Sequence, residues 1–216
     1  MPVHTRSSVS VTLVSLAALL LGLMLQECVA APQAPMAGSI RIRPSGARIW
    51  YPAGNYPQLS LPDGRKEVVR SMLNVTGPMH FGNFVWDEDH IPAGPLWVRI
   101  DLNRQLLTVF RSGHEIGSAV ILYGTDGKPT PTGSFTVLEK DRDHYSRSYD
   151  APMPYMLRLT DDGVAIHGSN VREGWATHGC IGVPLEFAHL LFAAASKGDL
   201  VFILPAQPGA GGAQFH

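Results

Sequence analysis

Trp97-Val98-Arg99-Ile100-Asp101-Leu102-Asn103-Arg104-Gln105-Leu106-Leu107-Thr108-Val109-Phe110 is the stretch on which the fold turns. Two runs of β-branched, aromatic and aliphatic residues flank a polar break. Trp97–Asp101 and Gln105–Phe110 therefore read as the strands of a hairpin about Leu102-Asn103-Arg104. Working outward, Arg111 to His114 makes a second turn into a strand over Glu115–Leu122. Tyr123 to Gly133 follows, dominated by Gly, Pro and Thr, and must be a loop. Strands are predicted at Ser134–Glu139, Tyr155–Thr160 and Val164–His167, the last two joined by the hairpin signal Asp161-Asp162-Gly163. Pro184 suits the first turn of a helix, Phe187, Leu190, Leu191 and Ala194 fall on one face, and Gly198 suits its stop. Asp199–Leu204 closes the domain as a strand. The expectation is a mainly β domain over 96–204 with one short helix. Residues 205–216 form a Gly/Ala-rich tail.

The chain before Leu96 has a different texture. An uncharged, mostly apolar run from Val9 to Leu25 follows His4 and Arg6 and precedes Cys28-Val29-Ala30-Ala31, so residues 1–30 read as a signal peptide. An uncleaved anchor is the competing reading, because the run is just long enough to span a thin bilayer. Gln26 and Glu27 stand where a lipoprotein signal wants small residues. Residues 31–95 read as a tether followed by a short helical extension. In it Arg41, Arg43 and Arg48 form a basic, solvated arm, and Val68, Val69, Met72 and Leu73 recur at helical spacing within Arg65–Asn74.

Of the 216 residues 45% are apolar and 16% charged, with a net charge of −1, which excludes a disordered chain. Nothing basic enough to favour nucleic acid is present. Removing residues 1–30 subtracts Arg6 and Glu27 and leaves 16 basic against 17 acidic residues. It also leaves Cys180 as the lone thiol, carried into an oxidising compartment, with no stable membrane insertion after cleavage. A lone exported cysteine is either a buried small hydrophobe or a reactive thiol.

The chemistry concentrates between His167 and Cys180, in His167-Gly168-Ser169-Asn170-Val171-Arg172-Glu173-Gly174-Trp175-Ala176-Thr177-His178-Gly179-Cys180. A thiol is only a few per cent ionised at neutral pH, so a cysteine nucleophile needs an imidazole to take its proton. His167 and His178 are both candidates. If the segment is extended, His178 and Cys180 point the same way, whereas His167 reaches Cys180 only through the loop. Gly179 would let a substrate carbonyl approach consecutive backbone N–H groups, the donors that a tetrahedral oxyanion requires. Acyl transfer is the natural chemistry. Zinc is the competing reading, since His, His and Cys are all ligands, but no fourth ligand sits at motif spacing. No metal or cofactor is expected.

These residues, over Leu96 to Leu204, resemble the L,D-transpeptidase catalytic domain of the YkuD type. The family hallmark is His-Gly, a variable loop, then Ser/Thr-His/Lys-Gly-Cys and an apolar residue; here these are His167-Gly168, Thr177-His178-Gly179-Cys180 and Ile181. Pro129-Thr130-Pro131-Thr132-Gly133-Ser134-Phe135 is similar to its Thr-Pro-Thr-Gly-x-Phe segment, and Val98–Phe110 to its opening hairpin. The resemblance implies a mixed β-sheet sandwich or barrel wrapping a cleft that holds the cysteine, with peptidoglycan stem peptides as partners in the periplasm or cell wall. It implies Cys180 as nucleophile, His167 as general base and later acid, and the Gly168 carbonyl as the group orienting His167. His178 would be auxiliary, with the N–H groups of His178, Gly179 and Cys180 as oxyanion donors. A carbapenem adduct at Cys180 is a further implication. Candidate substrate-binding residues are Thr177, Trp175, Tyr155, Met153 and Tyr123. Of these Trp175, Tyr155, Met153 and Tyr123 can equally be packing residues. Two departures stand out: Gly182 replaces the family's usual Arg or Asn, and the loop from His167 to Thr177 is short. His80, His90, His114, His144 and His189 read as solvated or structural.

Overall fold

The computed structural model describes Met1, residues 38–125 and residues 127–206. The chain divides into Met1–Ala34 and Pro35–His216, and the fold below is that of the second unit. The signal peptide expected over 1–30, the tether through residue 37 and the tail beyond residue 206 lie outside the described residues. Among the described residues no helix is long and apolar enough to cross a membrane.

The residues ahead of the predicted domain form short strands, β1 (Ile40–Arg41), β2 (Ile49–Trp50), β3 (Gln58–Ser60), β4 (Lys66–Val68), β5 (Ser71–Met72) and β6 (Asn83–Trp86). The domain continues with β7 (Leu96–Asp101), β8 (Leu106–Arg111), β9 (His114–Val120) and β10 (Gly133–Thr136). It ends with β11 (Glu139–Ser146), β12 (Ala151–Arg158), β13 (Ala165–Gly168), β14 (Ile181–Val183), the helix α1 (Leu185–Ala194) and β15 (Leu200–Leu204). One sheet runs β1-β6-β9-β8-β7-β15-β10, with β5 also on β9 and β2 on β5; a second runs β11-β12-β13-β14. The expected mainly β architecture with a short helix after the cysteine is the one found.

The opening hairpin pairs Leu96 with Arg111 through Asp101 with Leu106. The following turn is Ser112-Gly113, both at positive φ (50° and 82°), the combination whose twist matches a two-residue hairpin loop. Alternation sorts the side chains of the second sheet. Leu157, Ile166 and Ile181 join the main core with Val98, Ile100, Leu107 and, from α1, Phe187 and Leu191. Met153, Met156 and Ala165 cluster on its other face, and Cys180 packs against them. One face of this sheet is therefore core, and the other carries the cysteine.

Four expectations need correction. The helix over Arg65–Asn74 is absent: the segment is β4, a two-residue link and β5, and its buried positions Val69, Ser71 and Leu73 alternate as in a strand. Its middle inward residue is polar, which hides the two-residue period. The strand over Ser134–Glu139 is two elements, since β10 ends at Thr136 and β11 begins at Glu139. Beyond Glu139, β11 carries no legible signal, because an edge strand with one partner bears charge rather than alternation. The arm is not simply solvated: Arg48 is buried, donating to the carbonyl oxygens of Glu115 and Asp87, and Arg41 donates to that of Trp86 at 2.6 Å. Finally, α1 stops at Ala194, where the Ala195 N–H closes on the Leu191 carbonyl at 2.8 Å and Lys140 of β11 donates to the Phe192 carbonyl at 2.7 Å.

Candidate active site

β13 and β14 lie parallel, with Ile166 opposite Ile181, His167 opposite Gly182 and Gly168 opposite Val183. Side chains alternate along each strand, so His167 shares a face with Ala165. That is also the face of Cys180, which immediately precedes β14. Strand pairing, rather than the loop, sets the two on one face. Gly182 lies directly opposite His167, and a Cβ there would fall 2.9 Å from Ser169 Cβ and 3.5 Å from Leu122 Cβ. Packing of Ser169 thus accounts for glycine where the family usually has a larger polar residue.

His167 Nδ1 lies 2.9 Å from the Gly168 carbonyl oxygen, which can only accept, so Nδ1 carries the proton and Nε2 keeps its lone pair. Burial pushes the imidazole below its ordinary pKa of 6.5; the Gly168 carbonyl works the other way, and His144 adds to the lowering. Gly168 itself has no space for a side chain, since a Cβ would sit 2.8 Å from Leu185 Cδ1.

Cys180 is only partly exposed, and its Sγ is 3.8 Å from the Gly163 carbonyl oxygen. Burial raises the thiol pKa, while the Ala165 backbone N–H and the Lys128 ammonium pull it back and Asp162 adds to the rise. The resting pair is therefore a neutral thiol and a neutral imidazole. Such a thiol depends on a base at the moment of attack.

The loop carrying the cysteine is held by the segment after β9. Thr177 donates its N–H to the Tyr123 carbonyl at 3.0 Å, and Leu122 and Gly182 exchange backbone hydrogen bonds of 2.8 and 3.0 Å. The Thr177 hydroxyl donates to the Cys180 carbonyl. Gly179 has φ +105°, a conformation that side chains other than glycine's rarely tolerate. Among the described residues, no hydrogen bond to a backbone carbonyl occupies the N–H groups of His178, Gly179 or Cys180.

With the bend at Gly179 the segment is not extended, so the condition under which His178 and Cys180 would share a direction is not met. The exposed His178 ring instead stacks on Tyr149 in the β11–β12 turn, 4.8 Å between centroids and 18° between planes. Lys128 donates to the Tyr149 hydroxyl and lies 5.2 Å from that ring's centroid. Tyr149 and Lys128 were invisible in the sequence, the first because the hairpin it tips was unread and the second because it sat inside a loop. His144, expected to be merely solvated or structural, bears electrostatically on His167. Among the described residues no group of three His, Cys, Asp or Glu side chains converges in the manner of a metal site.

The five candidate substrate-binding residues separate. Met153 is buried in the cluster beside Cys180. Tyr155 turns elsewhere: at φ +58° it breaks the alternation of β12 and packs on His189 and Phe192 of α1, with centroids 5.1 and 5.8 Å away. Its place is helix packing rather than the cysteine face. Tyr123 contributes its carbonyl to Thr177, and Thr177 ties the loop, as above. Trp175 is 52% exposed on the loop between the two motifs, with the Arg172 guanidinium 5.9 Å from its ring.

Against this geometry, the YkuD family, the L,D-transpeptidase catalytic domain, matches residues 95–203. The chain is 28% identical to L,D-transpeptidase 1 of Mycobacterium tuberculosis over 48% of this chain and 48% of that protein. It therefore spans about half the length of the curated relatives it matches. The L,D-transpeptidase from Stackebrandtia nassauensis is similar in structure, with a TM-score of 0.50 at 25% identity over 56% of this chain and 62% of that one. The LD transpeptidase LdtMt1, solved in complex with imipenem, matches with a TM-score of 0.47 at 24% identity over 50% of this chain and 58% of that one. With its family match covering half the sequence, the chain belongs to the YkuD family of L,D-transpeptidase catalytic domains.

Proposed function

We propose that this chain is an exported cysteine L,D-transpeptidase. In this reading it takes a peptidoglycan stem tetrapeptide, forms a thioester on Cys180 and hands the acyl group to an amine acceptor in the periplasm or cell wall. The observation that carries the proposal is the shared face of β13 and β14, which presents Cys180 beside a His167 whose Nδ1 is committed to Gly168.

The steps follow from that geometry. His167 Nε2 takes the thiol proton as Sγ attacks the carbonyl carbon before the terminal D-alanine. The S–C bond forms, and the carbonyl oxygen becomes an oxyanion facing the N–H groups of the 178–180 loop. The intermediate collapses by breaking the C–N bond, and the imidazolium gives its proton to the departing amine. Burial, which disfavours imidazolium, makes it a ready donor. An acceptor amine then attacks the thioester, loses a proton to Nε2, and the thiol is restored by the same proton. Trp175, Met153 and Thr177 remain the substrate-side candidates, Met153 by its place beside the thiol. No cofactor enters these steps.

Incubating the purified protein with disaccharide tetrapeptide and analysing products by mass spectrometry tests this. A cross-linked dimer with release of D-alanine is the expected product. Tripeptide alone would replace the amine acceptor with water, and unchanged substrate with an intact thiol would overturn the proposal.

A further inference from the structure

Thr130 lies in the Pro/Thr/Gly loop, well separated in sequence from the cysteine, yet its side chain is built into the cysteine loop. The residue is 5% exposed. Its Oγ1 accepts the Gly124 N–H at 2.9 Å and lies 2.9 Å from the Gly179 carbonyl oxygen. The Gly124 amide can only donate and the Gly179 carbonyl can only accept, so the hydroxyl proton is committed to Gly179. Each partner defines the direction of the other.

The Gly179 carbonyl and the Cys180 N–H belong to one planar trans peptide unit and point in opposite directions. Holding the carbonyl toward Thr130 therefore holds the Cys180 N–H away from the 124–130 loop. The hinge of that unit is Gly179 at φ +105°, a residue with little intrinsic resistance to turning the peptide over. A second contact blocks such a turn. Gly124 is pressed against Gly179 so closely that a Cβ on it would come 2.8 Å from Gly179 Cα and 2.2 Å from the Lys128 carbonyl oxygen.

We infer that Thr130 is a positioning residue for acyl transfer: through the Gly179 carbonyl it sets the direction of the Cys180 N–H that receives the oxyanion. It touches neither the substrate nor the thiol. The inference rests on the acyl-transfer reading of Cys180, and it separates two kinds of thiol reaction. Acylation passes through a tetrahedral oxyanion and needs the aligned N–H. Alkylation by iodoacetamide displaces iodide at a saturated carbon, forms no oxyanion, and needs only the sulfur nucleophile.

The test measures both rates at Cys180, by intact mass, for the wild type, Thr130→Val and Thr130→Ser. Imipenem is the acylating probe and iodoacetamide the alkylating one. Thr130→Val, which keeps shape and loses the hydroxyl, should slow acylation by about 10²-fold, the low end of removing an oxyanion donor. Its alkylation should stay within about twofold of the wild type, and Thr130→Ser, which restores the hydroxyl, should recover most of the acylation rate. If Thr130→Val does not fold, Thr130→Ala carries the same comparison. Equal acylation of Thr130→Val and wild type would overturn the inference, as would a parallel fall in both reactions or a serine variant no better than valine. A wild type that is alkylated, yet acylated by neither imipenem nor tetrapeptide, would overturn the acyl-transfer reading and this role with it.

Discussion

His114 on β9 and His167 on β13 both sit on interior strands of their sheets and serve opposite ends. Each has Nδ1 held at 2.9 Å, His114 by Ser71 Oγ and His167 by the Gly168 carbonyl, and burial lowers the pKa of both. Around His114 every polar group is answered. Ser71 is 0% exposed and also lies 3.3 Å from Arg48, while the Glu115 carboxylate takes the Leu73 N–H at 2.9 Å and the Ser118 hydroxyl at 2.7 Å. A serine and a histidine in hydrogen-bond contact resemble a nucleophile and its base, but this serine is fully buried and its oxygen already meets both Arg48 and His114. Around Cys180 the balance reverses: the thiol is partly exposed, and among the described residues no backbone carbonyl meets the three loop N–H groups. Chemistry resides where donors and lone pairs are left over, and stability where they are used up.

The sharpest way to break that contrast is to delete the two hydroxyl or thiol groups in turn. Cys180→Ala should abolish acylation while leaving the melting temperature close to that of the wild type, because the lost Sγ is only partly buried. A carbapenem should add once to the wild type and not to the variant. Ser71→Ala should do the reverse, melting earlier while acylating at the wild-type rate. Intact mass and thermal melts on the same samples check all of these outcomes. An adduct on Cys180→Ala would place the reactive group elsewhere.

The next effect separates the two histidines of the motif. His167→Ala should slow acylation by about 10²–10⁴-fold, the usual loss for a general base. His178→Ala should be milder, since its ring stacks on Tyr149 and its backbone N–H survives the change. The pH dependence has a definite sign. The base works when unprotonated, and burial lowers its pKa below 6.5, so wild-type acylation should hold as pH falls through 6.5 and drop only below it. The same depression makes His167 contribute stability that is present above 6.5 and lost as pH falls through its folded value. His178→Ala should keep this profile and His167→Ala should flatten it. A larger defect in His178→Ala would invert the assignment.

The sequence revealed most where local chemistry and burial agree. The hairpin over Trp97–Phe110 has turn residues and apolar strands in one window, and β7 and β8 follow that reading closely. The turn at Asp161-Asp162-Gly163 and the helix after Pro184 were legible for the same reason. The thiol and both candidate imidazoles stood in one short stretch, and what remained open was which imidazole faces the thiol. That choice depends on the parallel pairing of β13 with β14 and on the bend at Gly179, and neither is local. Strand β11 was hidden because Glu139–Ser146 is charged, and with it went Tyr149 and the stack on His178. Ser71 broke the alternation of Val69 and Leu73, leaving a spurious helical period. Its inward position makes sense only once Arg48 and His114 are known to meet it.

Arg48 offers the smallest effect on catalysis and the clearest on folding. Its guanidinium donates to the Glu115 carbonyl, to Ser71 Oγ and, at 2.6 Å, to the Asp87 carbonyl, so it fastens the arm to β5, β9 and the end of β6. Arg48→Met keeps an unbranched apolar stem and removes those donors, leaving buried acceptors unmet at a cost of about 1.5–3 kcal/mol. Its charge also acts on the Glu115 carboxylate, which burial raises above 4.5 and Arg48 helps to lower. Without Arg48 that pKa climbs further, and a carboxyl raised in the folded state contributes stability below its unfolded value that is lost as pH rises through the folded one. The cost of Arg48→Met should therefore be larger at pH 7 than at pH 4, where Glu115 tends toward protonation in both states. Urea melts of wild type and Arg48→Met at the two pH values measure this, with imipenem acylation of the folded protein expected to be unchanged. A cost independent of pH would assign Arg48 to hydrogen bonding alone, and a slowed acylation would show that the arm and the cleft are not the separate regions that their hydrogen bonding suggests.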